Sequence, residues 1–535
     1  MVRLTAGFLL VNALLLAPGW IAEGGVGPRW LALEALLLTG LFALVPSGGW
    51  SRLLRGTATG LLGVFLVLAL ADVAARLSLN RPLNLYLDAH LITAVYNLAV
   101  GTLGPIRAVL ALAGLATGLL LVGWGLYRLW APLDRPYRST TVRTGAVALG
   151  VVVTAGLFLE RVPGAESRVG WPASDLTREQ IGYWNDMQGE RERFGQALSS
   201  GHQSYRDIPN LLGKLDGRDV VLAFIESYGV SALNDDRYAP VIVPRLEEME
   251  DRVRAAGLHM VSGVLVAPSQ GGQSWFGHGT LLSGLWLNNQ LRYDLFLASG
   301  RETLIDDFRH AGYRTAALFP AITMAWPEGE RLGFDRIFAY DDIDYRGPPL
   351  NWVTMPDQFT WHYLEDRVRT RTDDRPVFAT VGLISSHAPW TPILPVLDDW
   401  DGIEDGSVFR QWEDAGESPA ELWQDTDRVR EHYALAVDYA LHAMTGYAER
   451  YVDERTLLIA LGDHQPAPLI TGDDAGLEVP VHVIAGEREL LAPFLRWGFT
   501  EGALPEERPD ALGMDYFRDW FVPAFSGAPV EAGSG

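Results

Sequence analysis

Five apolar runs crowd the first 160 residues, and the core of a water-soluble domain has no place for so many long apolar stretches. They are 4–22 "LTAGFLLVNALLLAPGWIA", 30–48 "WLALEALLLTGLFALVPSG", 57–75 "TATGLLGVFLVLALADVAA", 108–130 "AVLALAGLATGLLLVGWGLYRLW" and 144–160 "TGAVALGVVVTAGLFLE". Each is close to the roughly 20 residues that a bilayer-crossing helix needs. The first follows Arg3 as a signal peptide would, but it is long and lacks a clean small-x-small site, so it reads as a retained helix. Arginine placement orients the set. Arg52 and Arg55 lie between spans two and three, and Arg128, Arg135, Arg138 and Arg143 between four and five. The loop between one and two carries only Arg29, and that between three and four holds Arg76, Arg81 and Arg107. The sum favours a cytoplasmic N-terminus, which puts the C-terminal two-thirds outside. Segment 82–104 is apolar but interrupted and reads as an interfacial or re-entrant piece. Glu34 and Asp72 read as interfacial acids, with a role in lipid passage as the alternative.

At 535 residues the chain is long enough for two or three units. Three are expected: 1–160 in the membrane, a polar connector over 161–215, and a globular domain over 216–535. In the last, strand-like runs at 219–225, 259–266, 314–320, 376–384, 456–462 and 479–486 alternate with stretches of helical spacing. That alternation predicts an α/β fold with a mostly parallel central sheet and helices on both faces. The acidic, irregular stretch 398–430 reads as a solvated insertion. The net charge of −23 argues against nucleic acid as a partner. The chain has no cysteine, so thiol catalysis, Cys-ligated zinc and disulfides are excluded.

Chemistry-bearing residues gather at the predicted strand ends, where open α/β sheets bind ligands. "VVLAFIESYG" (220–229) ends an apolar strand on Glu226, and "TLLIALGDHQP" ends one on Asp463 and His464. An Asp-His pair leaving a strand is either a loop cap or two ligands usable by Zn²⁺ or Mn²⁺. "VGLISSHAPW" places His387 just past a third strand. In "APSQGGQSWFGHGTLLSGLW", Ser274 follows a Gly-rich turn and opens a short helix. There it serves as an N-cap, or as a nucleophile favoured by the helix terminus and activated by a metal. Glu226, Asp463 and His464 are the inventory that would hold such a metal and activate Ser274.

The motifs "DVVLAFIESYG", "GGQSWFGHGTLLSG", "ISSHAPW" and "LGDHQP", following five spans, resemble the lipoteichoic acid synthase and phosphoethanolamine transferase branch of the sulfatase/alkaline phosphatase superfamily. The likeness covers nearly all of 218–490, including "GYRTAALFP", "LGFDRIFAY" and "HYALAVDYALHAM". It implies an alkaline phosphatase-like domain with Glu226, Asp463 and His464 as ligands of one divalent ion, Mn²⁺ or Zn²⁺, with Mg²⁺ the alternative. Ser274 falls where the family places its nucleophile, usually threonine, which also ligates the metal. Thr280 and Ser269 are the other hydroxyls near that position. His387 matches a histidine that contacts phosphate or substrate. Two departures stand out. The sulfatase formylglycine motif is absent, since Ser274 is followed by Trp275, Phe276 and Gly277. In glycerophosphate polymerases a Trp-Asn-Arg-like segment binds substrate phosphate; here Trp326 is kept but Pro327 and Glu328 follow it. A carboxylate in place of a guanidinium repels a second phosphate.

The resemblance thus implies a bacterial inner-membrane enzyme with its catalytic domain on the periplasmic side. It would move a phosphorus-containing headgroup from a membrane phospholipid, through Ser274, to an envelope glycan or lipid, with His387 and Trp326 at the substrate. A hydrolase of the same fold, using water as acceptor, is the first rival. A non-catalytic envelope scaffold is the second.

Overall fold

The computed structural model describes residues 2–527 except 23, 45–47, 90, 93–94, 97–98, 101–103, 131–167, 201–203, 371–372, 507 and 509. The chain divides into two compact units, Met1–Gly189 and Glu190–Gly535.

In the first unit, three helices among the described residues are long and apolar enough to cross a membrane; they lie in Val2–Ala22, Gly49–Leu79 and Pro105–Leu129. The second expected span departs from this pattern. Its helix, Leu33–Leu44, has 12 residues, about 18 Å at 1.5 Å per residue, well under the ~30 Å hydrocarbon layer. The fifth expected span, 144–160, lies outside the described residues. The two acids have local partners. One Glu34 oxygen accepts the Ala173 and Ser174 N–H groups at 3.1 Å each, capping the start of helix Pro172–Ser200. Asp72 accepts from Arg76 Nε and from the Leu83 N–H, both at 2.8 Å. Part of the expected connector is a single 29-residue helix, Pro172–Ser200.

The second unit is built on eight strands. They are β1 (Asp219–Ile225), β2 (His259–Val266), β3 (Arg314–Phe319), β4 (Arg336–Ala339), β5 (Val377–Leu383), β6 (Thr456–Gly462), β7 (Glu478–Ala485) and β8 (Thr500–Glu501). Their order across the sheet is β8-β2-β7-β6-β1-β5-β3-β4. The pairs β6/β1, β1/β5, β5/β3 and β3/β4 are parallel. β7 runs against both β6 and β2, and β8 against β2, so the sheet is mostly parallel but mixed.

β1 explains why these runs are strands. All seven of its residues are buried, as expected where helices cover both sheet faces. The period-2 alternation sends Val221, Ala223 and Ile225 into one core layer, with Ile242, Leu246 and Met249 of helix Ala239–Ala255 and with helix Thr426–Tyr451. Val220, Leu222 and Phe224 enter the other, with Phe276 and Leu281 of helix Ser274–Ser283 and Phe517 and Phe521 of helix Tyr516–Phe525. Each fully buried Val, Leu, Ile, Phe or Met side chain among them contributes on the order of 1.5–3 kcal/mol. The stretch 398–430 differs from its reading as a solvated insertion: Trp400, Ile403, Phe409 and Leu422 are buried in the first of these layers. Most of its acids face water while these spaced apolar residues, with Val429, pin it down.

Candidate active site

Strand order brings the predicted residues to one edge of the fold. β6, β1 and β5 are neighbours, so their exits place Asp463 and His464, Glu226 and His387 side by side. The ladder persists to the last residue: the Glu226 N–H donates to Leu383 O and the Asp463 N–H to Ile225 O, each at 3.2 Å. Beyond it the chain turns through Ser227, at φ 55°, a left-handed value uncommon outside glycine. That turn is anchored from both sides. Tyr433 Oη donates to Ser227 O at 3.0 Å, and Ser386 Oγ to Glu226 O at 2.6 Å.

Glu226, Asp463 and His464 form a group whose donor atoms all lie within 4.8 Å of one another, and it is the only such His/Asp/Glu group among the described residues. Each ligand is oriented by its backbone. Asp463 Oδ1 accepts the Ser227 and His464 N–H groups at 2.8 and 2.7 Å, which leaves Oδ2 free of those bonds. His464 Nδ1 meets the Gln465 carbonyl at 2.8 Å. That carbonyl can only accept, so the proton is assigned to Nδ1 and the lone pair to Nε2 when the ring is neutral.

Ser274 enters the same space from helix Ser274–Ser283, preceded by Gln273 at φ 63°. Its Oγ donates to Glu226 Oε2 at 3.0 Å and lies 3.3 Å from His464 Nε2. His464 Nε2 is in turn 3.3 Å from Glu226 Oε1 and 3.8 Å from Asp463 Oδ2. Ligands about 2.0–2.1 Å from a tetrahedral ion stand about 3.3 Å apart, so two carboxylates, an imidazole and a hydroxyl at these separations fit one divalent cation. Gly277 allows the approach, because a Cβ there would stand 2.5 Å from Asp463 O.

The charges in this site are strongly coupled. Burial pushes Asp463 up, and the Glu226 charge adds to it, to about 8. Burial opposes the charge on His464, yet the Asp463 and Glu226 carboxylates raise it to about 9. Glu226 is held low by His464 against its own desolvation. A cation bound here would compete with protons for Asp463 and His464.

His387 sits past the exit of β5, its Nδ1 against the Ala388 carbonyl and its ring stacked on Trp352 at 5.7 Å between centroids. Trp326 precedes helix Pro327–Leu332 and packs on Phe319 at 5.3 Å. Its ring is thus placed against β3. Of the other two hydroxyls, Thr280 is committed elsewhere, fully buried and accepting the Leu287 N–H at 3.0 Å, whereas Ser269 Oγ is buried without a hydrogen-bond partner among the described residues. Two residues escaped the sequence reading. Asp357 is fully buried and accepts the Ile384 and Ser385 N–H groups at 2.7 and 2.9 Å, holding the loop that leads to His387. His278 is the other. Its i+4 spacing from Ser274 in "SWFGH" was available as a signal; Asp357 had none.

The family model described as Sulfatase matches residues 218–493, more than half of the chain. The chain belongs to the sulfatase family. No curated protein matches it. Among solved structures, this sulfatase-family chain is similar to the lipoteichoic acid synthase LtaP from Listeria monocytogenes, at 12% identity over 55% of this chain and 71% of that one, with a TM-score of 0.35. The periplasmic domain of EptC from Escherichia coli has 14% identity over 53% and 77%, with a TM-score of 0.35. The Streptococcus pyogenes phosphoglycerol transferase GacH, in complex with sn-glycerol-1-phosphate, has 13% identity over 56% and 74%, with a TM-score of 0.33. Such scores say nothing about substrate. The superfamily is metal-dependent, and the donor set at Glu226, Asp463 and His464 agrees with that.

Proposed function

We propose that this protein transfers a phosphorus-containing headgroup, of the phosphoethanolamine or glycerophosphate type, from a membrane phospholipid to an envelope glycan or lipid. In this reading five N-terminal spans, N-terminus inside, hold residues 216–535 on the periplasmic side of a bacterial inner membrane, with 161–215 as connector. One observation carries it: the Ser274 hydroxyl lies within hydrogen-bond distance of both Glu226 and His464. A serine inside a cation-binding donor set is placed to act as a nucleophile.

One Mn²⁺ or Zn²⁺ bound by Glu226, Asp463, His464 and Ser274 would lower the pKa of the serine hydroxyl and offset phosphate charge. Ser274 Oγ loses its proton and bonds to phosphorus while the bond from phosphorus to the diacylglycerol oxygen breaks; that oxygen takes up a proton and diacylglycerol leaves. An acceptor hydroxyl then gives up its proton and bonds to phosphorus as the bond from phosphorus to Ser274 Oγ breaks, and the released proton restores the serine hydroxyl. His387 orients the phosphoryl group, and Trp326 flanks the donor. Glu328, where a cation would grip a second phosphate, favours a headgroup without one.

The test is peptide mass spectrometry on the full-length protein in detergent, incubated with Mn²⁺ or Zn²⁺ and bacterial lipid extract. A covalent adduct on Ser274 is expected, absent from Ser274→Ala and Glu226→Ala, with a mass that names the headgroup. Lipid consumed with metal bound and no adduct in the wild type would replace transfer by hydrolysis.

A further inference from the structure

One ring beside the site has no role so far. His278 lies four residues after Ser274 on helix Ser274–Ser283, and residues so spaced leave the same face of a helix. Its ring centroid is 4.2 Å from that of Phe224 and 5.4 Å from that of Phe319. Phe224 stands two residues before Glu226 on β1, and Phe319 ends β3. β5 runs between those two strands. The imidazole therefore bridges the exit of β5, whose loop carries His387, and lies on the side of the site toward Trp326, which packs on Phe319.

An aromatic slot of this kind would hold phenylalanine equally well, yet it holds a residue whose Nε2 is buried with no hydrogen-bond partner among the described residues. An orphaned N–H costs about 1–3 kcal/mol, and an orphaned lone pair is the smaller penalty. The proton is thus assigned to Nδ1, leaving Nδ1–H as the group that can serve a ligand.

We propose that His278 is a substrate-contacting residue, donating Nδ1–H to a non-bridging oxygen of the phosphoryl group under attack by Ser274. This rests on the reading of the site as one for phosphoryl transfer. The contact comes from the nucleophile's own helix. No proton moves in this step: the hydrogen bond strengthens as charge accumulates on the oxygen in the transition state. Burial pushes the ring down to about 3 and so keeps it neutral, which suits a donor that never acts as the acid.

Two substitutions separate contact from packing. His278→Phe fills the slot without a donor, and His278→Gln keeps an N–H donor without the ring. Each full-length variant is assayed for Mn²⁺ content, for the rate of Ser274 labelling by phospholipid extract, and for turnover of bis(p-nitrophenyl) phosphate. The expectation is unchanged Mn²⁺ in both, a loss of roughly 10²-fold in the rates for His278→Phe, and His278→Gln within about tenfold of wild type. His278→Phe at wild-type rates, or His278→Gln as slow as His278→Phe with metal intact, would overturn the proposal. If His278→Phe does not fold, His278→Leu takes its place in the same comparison. The synthetic diester keeps the two readings apart: a wild type that cleaves it but is never labelled by lipid sinks the transferase, while the variants still decide the role of His278.

Discussion

At the scale of single residues, the site depends on what small and buried groups permit. Gly277 is small because the Asp463 carbonyl occupies the place of its side chain, 2.5 Å from an ideal Cβ. Gly277→Ala must push the helix or the 463–465 turn outward, and misplacement of that order costs catalysis heavily. It is expected to weaken Mn²⁺ binding at least about tenfold, as second-shell disruptions do, read by calorimetric titration of the full chain; unchanged affinity would show that the helix yields freely. Asp357 adds a pH dependence. Burial raises its carboxyl to about 6, against the backbone N–H bonds from Ile384 and Ser385 that favour the charge. Because the folded value lies above that of the free acid, about 4, this group favours the fold when protonated. Its contribution is complete below pH ~4 and is lost as pH rises through about 6. Relative to Asp357→Asn, the wild type should lose on the order of 2–3 kcal/mol of stability between pH 4 and 7.5. Denaturant titrations of both proteins across that range check it, and a difference that does not vary with pH would contradict it.

At the scale of elements, buried polar links decide how helices and strands are held in register. Arg518 on helix Tyr516–Phe525 donates to both Asp307 oxygens, at 2.8 and 3.1 Å, and both side chains are fully buried. Asp307 lies on helix Leu304–His310, so the pair ties two helices of the same core layer. Breaking such a pair leaves a charge without a partner, at a cost of about 3–5 kcal/mol. Asp307→Ala should be destabilised by that much, whereas the apolar pair Asp307→Leu with Arg518→Met should recover most of it. Equal stability of the single and double variants would mean that the charge, once alone, reaches water. A second buried link joins strand to site. His482 on β7 contacts Tyr228 Oη at 3.0 Å through Nε2 and Ser262 Oγ of β2 at 2.9 Å through Nδ1. Ser262 spends its own proton on Gly502 O at 2.7 Å, so Nδ1 is the donor and Tyr228 donates to Nε2. Tyr228 follows Glu226 by two residues, and the network holds the turn that presents it.

For the molecule as a whole, the donor set that could hold a cation belongs to one unit. A ligand that binds only the folded state at a hundred times its Kd adds about 2.7 kcal/mol, or roughly 4 °C for a unit of this size. Adding EDTA should lower by that order the melting transition followed by tryptophan fluorescence of the catalytic unit. The helical signal of Met1–Gly189, which contains none of Glu226, Ser274, Asp463 and His464, should not follow it. Two transitions moving together would mean that the units melt as one body.

Periodicity and composition alone determined the class of each part. Three of the apolar runs are helices long enough to span a bilayer, and all six runs read as strands are strands, because a run buried on both sheet faces must be apolar throughout. The short β4 and β8 lack that signature, since neither has room for a period of its own. Side-chain chemistry was equally readable, because an acid, a hydroxyl and an imidazole at strand exits carry their reactivity wherever they stand. Distance was not. Ser274 meets Glu226 across 48 residues and His464 across 190, and only the strand order sets such separations. The same holds for His278 and Asp357: each is marked by what surrounds it, an aromatic slot without a partner and a buried carboxylate on a turn. Local pattern specifies an element; long-range pairing decides which elements meet, and with them the site.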